Sequence, residues 1–240
     1  MVELILGGKM KMLVSDYDQT FYINDNDIEK NKKAVEQFQN KGNIFVIATG
    51  RSYLDFKNKL DLYNFNYDYV ILNHGATILD KDNNIFANYS IDSNIIKDIY
   101  EDLNIKESIN SFNCSELESR VDFNHQNLTK INVKYNSREE AMRINKIIND
   151  KYSNYVVSYF VNTNSIEIIS NQTNKSNAIN ILIERLGLSK DDIYTIGDGY
   201  SDIDMIKDFN GYAIKDSVEE LKQVSIKEYE SVSNLINDML

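Results

Sequence analysis

Two carboxylates sit two positions apart in Asp16-Tyr17-Asp18-Gln19-Thr20, directly after the apolar run Lys11-Met12-Leu13-Val14-Ser15. Carboxylates so placed are common in solvated turns, and with further acidic partners they can hold a hard cation. A second acidic corner, Gly197-Asp198-Gly199-Tyr200-Ser201-Asp202, follows the apolar run Asp192–Ile196. Between them lie Thr49-Gly50-Arg51, after Asn43–Ala48, and Asn73-His74-Gly75-Ala76, after Tyr69–Leu72. If the four corners share one rim, Asp16, Asp18, Asp198 and Asp202 crowd together, and each pair about 4 Å apart repels by roughly 4 kcal/mol at an effective dielectric of ~20. Such a group needs a counter-charge, and oxygen-only ligands favour magnesium over zinc or copper.

Other readings of these pieces fail on their own constraints. Asp16, Asp18 and Thr20 occupy the first, third and fifth positions of an EF-hand loop, but Phe21 stands where that loop needs Gly and Asp27 where it needs a bidentate Glu. Gly197-Asp198-Gly199 lacks the rest of a dinucleotide fingerprint, and Asp198 would repel a pyrophosphate. Gly7-Gly8-Lys9 lacks the upstream glycine of a P-loop.

The elements that must carry these corners follow from the apolar pattern. Ile28, Ala34, Val35 and Phe38 form a helical stripe that Asn26 or Asp27 can cap, with Gly42 at the stop. A second helix fits about Tyr53 to Leu62. Strand, helix, strand, helix, strand, with continuous apolar strands, is the pattern of a parallel sheet covered on both faces. From about Asp80 to Ser170 the pattern changes: Thr129–Tyr135 alternates apolar and polar residues, a helix fits Arg138 to about Lys151, and strands fit Tyr155–Val161 and Ser165–Ile169. Asn177–Leu186, Asp192–Ile196, Asp202 to about Lys207 and Gly211–Ile214 resume the first pattern. The expected fold is α/β: a doubly wound, Rossmann-like parallel-sheet core formed by residues 1–80 and 171–240, with an inserted α+β cap domain over 81–170. In such a sheet, ligands bind outside the carboxyl ends of the strands, where the four corners lie.

Composition bounds the function. Twenty-six Lys and Arg against 37 Asp and Glu give a net charge of −11 over 240 residues, which argues against nucleic acid or an anionic membrane as partner. The single cysteine, Cys114, permits no intrachain disulfide, and two histidines make a Cys/His zinc site improbable. No apolar run approaches the ~20 residues of a membrane span, and the first residues lack a basic n-region, so a cytoplasmic chain is expected, with residues 1–10 as a tail.

Taken in order, the motifs resemble those of the haloacid dehalogenase-like superfamily of phosphatases, in its Cof-type branch with a large α/β cap. Asp16-Tyr17-Asp18-Gln19-Thr20 is similar to the family's Asp-x-Asp-Gly-Thr motif, Thr49-Gly50-Arg51 to its second, and Lys175 falls at the third. Gly197–Asp202 matches its Gly-Asp-x-x-x-Asp motif, and the insertion lies where this branch carries its cap. The resemblance implies a magnesium-dependent phosphatase of small phosphorylated metabolites. Asp16 would be the nucleophile and Asp18 the general acid and base. Thr49, Gly50 and Lys175 would bind the phosphoryl group, and Asp16, Asp18 (through its carbonyl), Asp198 and Asp202 the metal. Arg51 and His74 are candidate substrate contacts, His74 reading equally as a solvated loop histidine. Gln19 stands in place of the family's Gly, Ser201 of its Asn, and His74-Gly75-Ala76 of its Asn-Gly-Ala. A phosphomutase of the phosphomannomutase type and a catalytically silent ligand binder are the alternatives. Selectivity would reside among Cys114–Gln126 and Asn162–Asn164.

Overall fold

Met12–Asp16 (β1) is buried along its whole length, from the apolar Met12, Leu13 and Val14 to the polar Ser15 and Asp16 at its end. The computed structural model describes residues 9–104, 109–115, 120–121 and 126–240. The tail expected over residues 1–10 lies mostly outside these residues, as do parts of Cys114–Gln126.

Helix α1 (Asp25–Asn40) is capped two or three residues before the expected positions, because the Asn24 side chain accepts from the Asn26 and Asp27 amides. It ends at Lys41, and Gly42 follows at φ +82°, where a side chain would be strained. Strand β2 (Ile44–Ala48), helix α2 (Tyr53–Tyr63) and strand β3 (Tyr69–Leu72) follow, then β4 (Thr77–Asp80) and β5 (Ile85–Asn88). Helix α3 (Ser93–Asp102) leads to β6 (Ile109–Ser115), β7 (Arg120–Val121), β8 (Lys130–Tyr135), α4 (Arg138–Tyr152), β9 (Val156–Val161) and β10 (Ser165–Ser170). Helix α5 (Lys175–Leu186), β11 (Ile193–Gly197), α6 (Ile203–Asp208), β12 (Asn210–Ile214), α7 (Glu219–Lys222), β13 (Glu228–Tyr229) and α8 (Val232–Met239) complete the chain.

The larger sheet has eight strands in the order β13-β12-β11-β1-β2-β3-β4-β5, and the smaller five in the order β7-β6-β8-β10-β9. Pairs β1–β11, β11–β12 and β12–β13 are parallel, whereas β4–β5 and the pairs of the smaller sheet are antiparallel. The fold is therefore α/β with a large, mainly parallel sheet.

Contacts divide the chain into two units. One comprises the residues up to Ile47 with Phe65–Tyr69 and Ile179–Leu240; the other comprises Ala48–Asn64 and Val70–Ala178. In the first unit, the sequence-distant strands β1 and β11 pair with Ser15 beside Ile196, which sets the strand ends Asp16 and Gly197 side by side. Aromatic rings pack beneath that end: Phe21 lies 5.4 Å from Phe45 and 5.2 Å from Phe65, and Tyr17 lies 5.6 Å from Phe65. In the second unit, Ile131, Val133 and Tyr135 of β8 and Ile166 and Ile168 of β10 bury one face of the smaller sheet with α3 and α4. The apolar half of the alternation in Thr129–Tyr135 thus faces this core. On the opposite face Lys134 is exposed, but Lys130 is buried, at 5% exposure, where the pattern alone predicts a solvated lysine.

Candidate functional site

The end of β1 turns back on itself at once. The Phe21 amide donates to the Asp16 carbonyl (3.2 Å), the Tyr22 amide to the Tyr17 carbonyl (2.8 Å) and the Gln19 amide to the Tyr22 carbonyl (2.8 Å). Closing so tight a loop forces Gln19 to φ +62°, a left-handed conformation that costs a non-glycine residue roughly 1–2 kcal/mol. Gln19 thus occupies the left-handed conformation that a glycine adopts without strain. Buried Phe21 anchors it in the aromatic cluster, and the neighbouring Thr20 hydroxyl donates to Oδ1 of Asp198 at 2.9 Å.

The β11 corner is built around Asp202. Its Oδ2 accepts from the backbone amides of Asp198 (3.1 Å) and Gly199 (3.0 Å), so a side chain at 1% exposure ties the turn that precedes it. Gly197 is required here: a Cβ at that position would lie 2.7 Å from Cβ and Cγ of Asp202. The Val218 amide holds the Asp198 carbonyl from the far side, at 2.9 Å.

These two corners bring Asp16, Asp198 and Asp202 together, each offering a carboxylate oxygen within 4.8 Å of the others. The Asp18 carboxylate is not part of this cluster. Asp16 and Asp202 are buried and Asp198 partly so. At 4.8 Å and an effective dielectric of ~20, each ionised pair repels by about 3.5 kcal/mol. Three clustered oxygens with that mutual repulsion suit a hard divalent cation such as magnesium, which takes oxygen ligands and completes its shell with water.

Thr49, Gly50, Arg51, His74 and Lys175 belong to the other unit. The Thr49 amide donates to the Ile71 carbonyl at 2.8 Å, continuing the backbone pairing one residue beyond β2. The Thr49 hydroxyl accepts from the Arg51 amide at 3.2 Å, which leaves its own proton to donate elsewhere. Lys175 opens α5 at 1% exposure, and the Asn174 side chain caps that helix by accepting from the Asn177 amide at 2.7 Å.

His74 is not a solvated loop residue. It is 5% exposed, its ring lies 4.8 Å from that of Tyr159, and Nε2 is 2.5 Å from Oε2 of Glu167. The other oxygen of Glu167 accepts from Lys130 Nζ (2.9 Å) and Asn132 Nδ2 (3.1 Å), and Lys130 Nζ also donates to the Gly50 carbonyl (2.6 Å). Burial pushes the His74 pKa down, and the charges of Lys175 and Lys130 add to that, against the Glu167 contact. Burial opposes the charge on Glu167, but the Lys130 ammonium and the His74 hydrogen bond outweigh it and hold the carboxyl well below the usual range. Neutral His74 must then donate from Nε2, which leaves the lone pair on Nδ1, a buried atom without a hydrogen-bond partner.

Lys130, Asn132, Tyr159 and Glu167 are absent from the motif reading. The available signal was Glu167 inside Ser165–Ser170, a charge in the middle of a strand otherwise largely buried. Thr20 lay within the first motif, but its partner Asp198 is 178 positions away.

The chain also matches known proteins. The profile of the haloacid dehalogenase-like hydrolases matches residues 13–121 and 105–234. A Buchnera aphidicola protein (subspecies Baizongia pistaciae), provisionally named a phosphatase, is 25% identical over 263 residues, covering 94% of this chain and 97% of its own. The Bacillus subtilis 5-amino-6-(5-phospho-D-ribitylamino)uracil phosphatase YcsE is 25% identical over 228 residues, covering 90% of this chain and 88% of its own. The solved structure of a haloacid dehalogenase-like hydrolase from B. subtilis superposes with a TM-score of 0.82 at 16% identity, covering 96% of this chain and 100% of its own. The chain belongs to the haloacid dehalogenase-like hydrolase family. It is an enzyme, and phosphoric monoester hydrolysis is the class its family and curated relatives define. Among the described residues, no helix is long and apolar enough to cross a membrane.

Proposed function

We propose that this hydrolase is a magnesium-dependent phosphatase of small phosphomonoesters, sugar phosphates or phosphorylated cofactors, and that it works through an aspartyl-phosphate on Asp16. The observation that carries the reading is the convergence of Asp16, Asp198 and Asp202 at the ends of two paired parallel strands. The phosphorylated ribitylaminouracil in the name of the B. subtilis relative, a small phosphomonoester, supports a substrate of that size and chemistry.

In this reading, one Asp16 carboxylate oxygen attacks phosphorus, the ester P–O bond breaks, and Asp18 protonates the departing alkoxide. Asp18 then takes a proton from the water that attacks the aspartyl-phosphate, which releases inorganic phosphate and restores Asp16. The Thr49 hydroxyl and the Lys175 ammonium hold the phosphoryl oxygens, with the N-terminus of α5 adding its positive end. Gly50 shapes the loop between them, and Arg51 contacts substrate. Magnesium, bound by Asp16, the Asp18 carbonyl, Asp198 and Asp202, would supply positive charge where negative charge accumulates. Residues 81–170 are the cap that selects the substrate and excludes water from the first half-reaction.

Phosphate release from a panel of phosphomonoesters, with magnesium or with chelator, tests this reading. Magnesium-dependent release that Asp16→Asn abolishes is expected. Release that persists in Asp16→Asn removes the assigned nucleophile, and a hexose phosphate isomerised without phosphate release makes the enzyme a mutase.

A further inference from the structure

The loop Thr49-Gly50-Arg51 has each of its three carbonyls committed. That of Thr49 accepts from the His74 amide (3.0 Å), that of Arg51 from the Asn73 amide (2.9 Å), and that of Gly50 from Lys130 Nζ (2.6 Å). Two of the donors come from Asn73 and His74, which adopt left-handed conformations at φ +50° and +56°. Non-glycine residues hold that conformation only when their surroundings over-determine it. The surroundings here are specific: Asn73 Nδ2 donates to Thr129 Oγ1 (3.2 Å), and His74 Nε2 is bound to Glu167. The His74 ring also closes over Gly50, since a Cβ there would lie 2.4 Å from Cε1 and 2.5 Å from Nε2. In a trans peptide the N–H points opposite the C=O, so fixing the Thr49 carbonyl on His74 directs the Gly50 N–H the other way.

We propose that Lys130 and Glu167 are positioning residues for this loop. Glu167 holds the Lys130 ammonium on the Gly50 carbonyl and the His74 ring on the Gly50 face, and so sets the direction of the Thr49 hydroxyl and the Gly50 amide. Neither residue touches the phosphoryl group. Both lie on strands of the smaller sheet, β8 and β10, so residues of the insertion set the geometry of the loop as well as lining the substrate. The proposal rests on the phosphatase reading for the loop's task. The network itself does not depend on that reading.

The test compares wild type, Lys130→Met, Lys130→Arg and Glu167→Gln in kcat, KM, orthovanadate inhibition and calorimetric binding of inorganic phosphate. Lys130→Met is expected to lower kcat about tenfold or more with KM changed less than about threefold, because a misdirected loop fails the transition state more than the ground state. Orthovanadate inhibition should weaken with kcat/KM. Lys130→Arg, which keeps a cationic donor, should recover most of the loss, and Glu167→Gln should fall between. Folded Lys130→Met with wild-type kcat and wild-type orthovanadate inhibition overturns the proposal. So does an equal loss of melting temperature in both Lys130 variants with kcat unchanged, which a merely structural role produces. If wild type hydrolyses nothing in the panel, the phosphatase reading fails separately, and phosphate binding decides the positioning role. About tenfold weaker binding by Lys130→Met supports the role; equal binding, or none by wild type, overturns it.

Discussion

Replacing Asp202 with Asn separates two opposing contributions of one side chain. In the protein without metal, Asp202 repels Asp16 and Asp198 across separations of at most 4.8 Å. Each ionised pair costs about 3.5 kcal/mol at an effective dielectric of ~20 and about 0.9 kcal/mol in bulk water, so removing the charge relieves roughly 2–7 kcal/mol. Against this, the same carboxylate accepts from the Asp198 and Gly199 amides, and a neutral amide oxygen accepts less strongly, by about 1 kcal/mol per bond. Repulsion equals or exceeds the lost hydrogen-bond strength throughout this range. In chelator, Asp202→Asn should therefore be at least as stable as wild type. For a chain of this size, each kcal/mol gained raises the melting temperature by about 2–4 °C. Magnesium reverses the order: at about 100 times its Kd it stabilises wild type by about 2.7 kcal/mol, and the variant, with one anionic ligand fewer, should gain less than half of that. Thermal melts of both proteins in chelator and in magnesium read all four states. A variant destabilised by more than about 2 kcal/mol in chelator, or one with the same magnesium gain as wild type, would refute the assignment of Asp202 to a mutually repelling metal cluster.

Three further outcomes follow from particular contacts. Gln19→Gly relieves a left-handed glutamine and should stabilise the protein by about 0.5–1 kcal/mol after the added freedom of the unfolded chain, as read by urea denaturation. Gly75→Ala should destabilise it by about 2–4 kcal/mol in the same assay, because Gly75 sits at φ +117° and a Cβ there would lie 2.3 Å from the Asn174 carbonyl oxygen. Acid should weaken the fold through His74. Its pKa is lowered from 6.5, so the unfolded chain binds the extra proton first; its contribution is complete above 6.5 and declines below it, by at most about 1.4 kcal/mol per pH unit. Glu167, held below its ordinary 4.5, adds a second loss only under 4.5. His74→Gln should flatten the decline of stability just below pH 6.5, and an unchanged slope would show that His74 does not cause it.

The order of strands, helices and polar corners was legible because each corner follows a largely apolar run and gathers several polar or glycine residues in succession, which end the strand within a residue or two. Asp16 and Asp198 were readable for that reason, since their motifs are local in sequence. The cap of α1 was displaced to Asn24, because several neighbouring Asn and Asp residues compete for the same amides and sequence alone does not rank them. Beyond the charge of Glu167 in the middle of a largely buried strand, the Lys130–Glu167–His74 network was not legible. It depends on β8 pairing with β10, and on residues 93 positions apart meeting, as Glu167 and His74 do. Alternation in Thr129–Tyr135 placed Lys130 correctly opposite the apolar face. It could not show that the Gly50 carbonyl and the Glu167 carboxylate cover that end of the strand.

The role of Asp16 is tested most directly by quenching the working enzyme in acid and mapping its peptides by mass. A phosphoryl group on the peptide that contains Asp16, formed with magnesium, lost as inorganic phosphate appears, and missing in Asp16→Asn, is the predicted result. Phosphate release with the phosphoryl group on another residue, or release by Asp16→Asn at the wild-type rate, would contradict it.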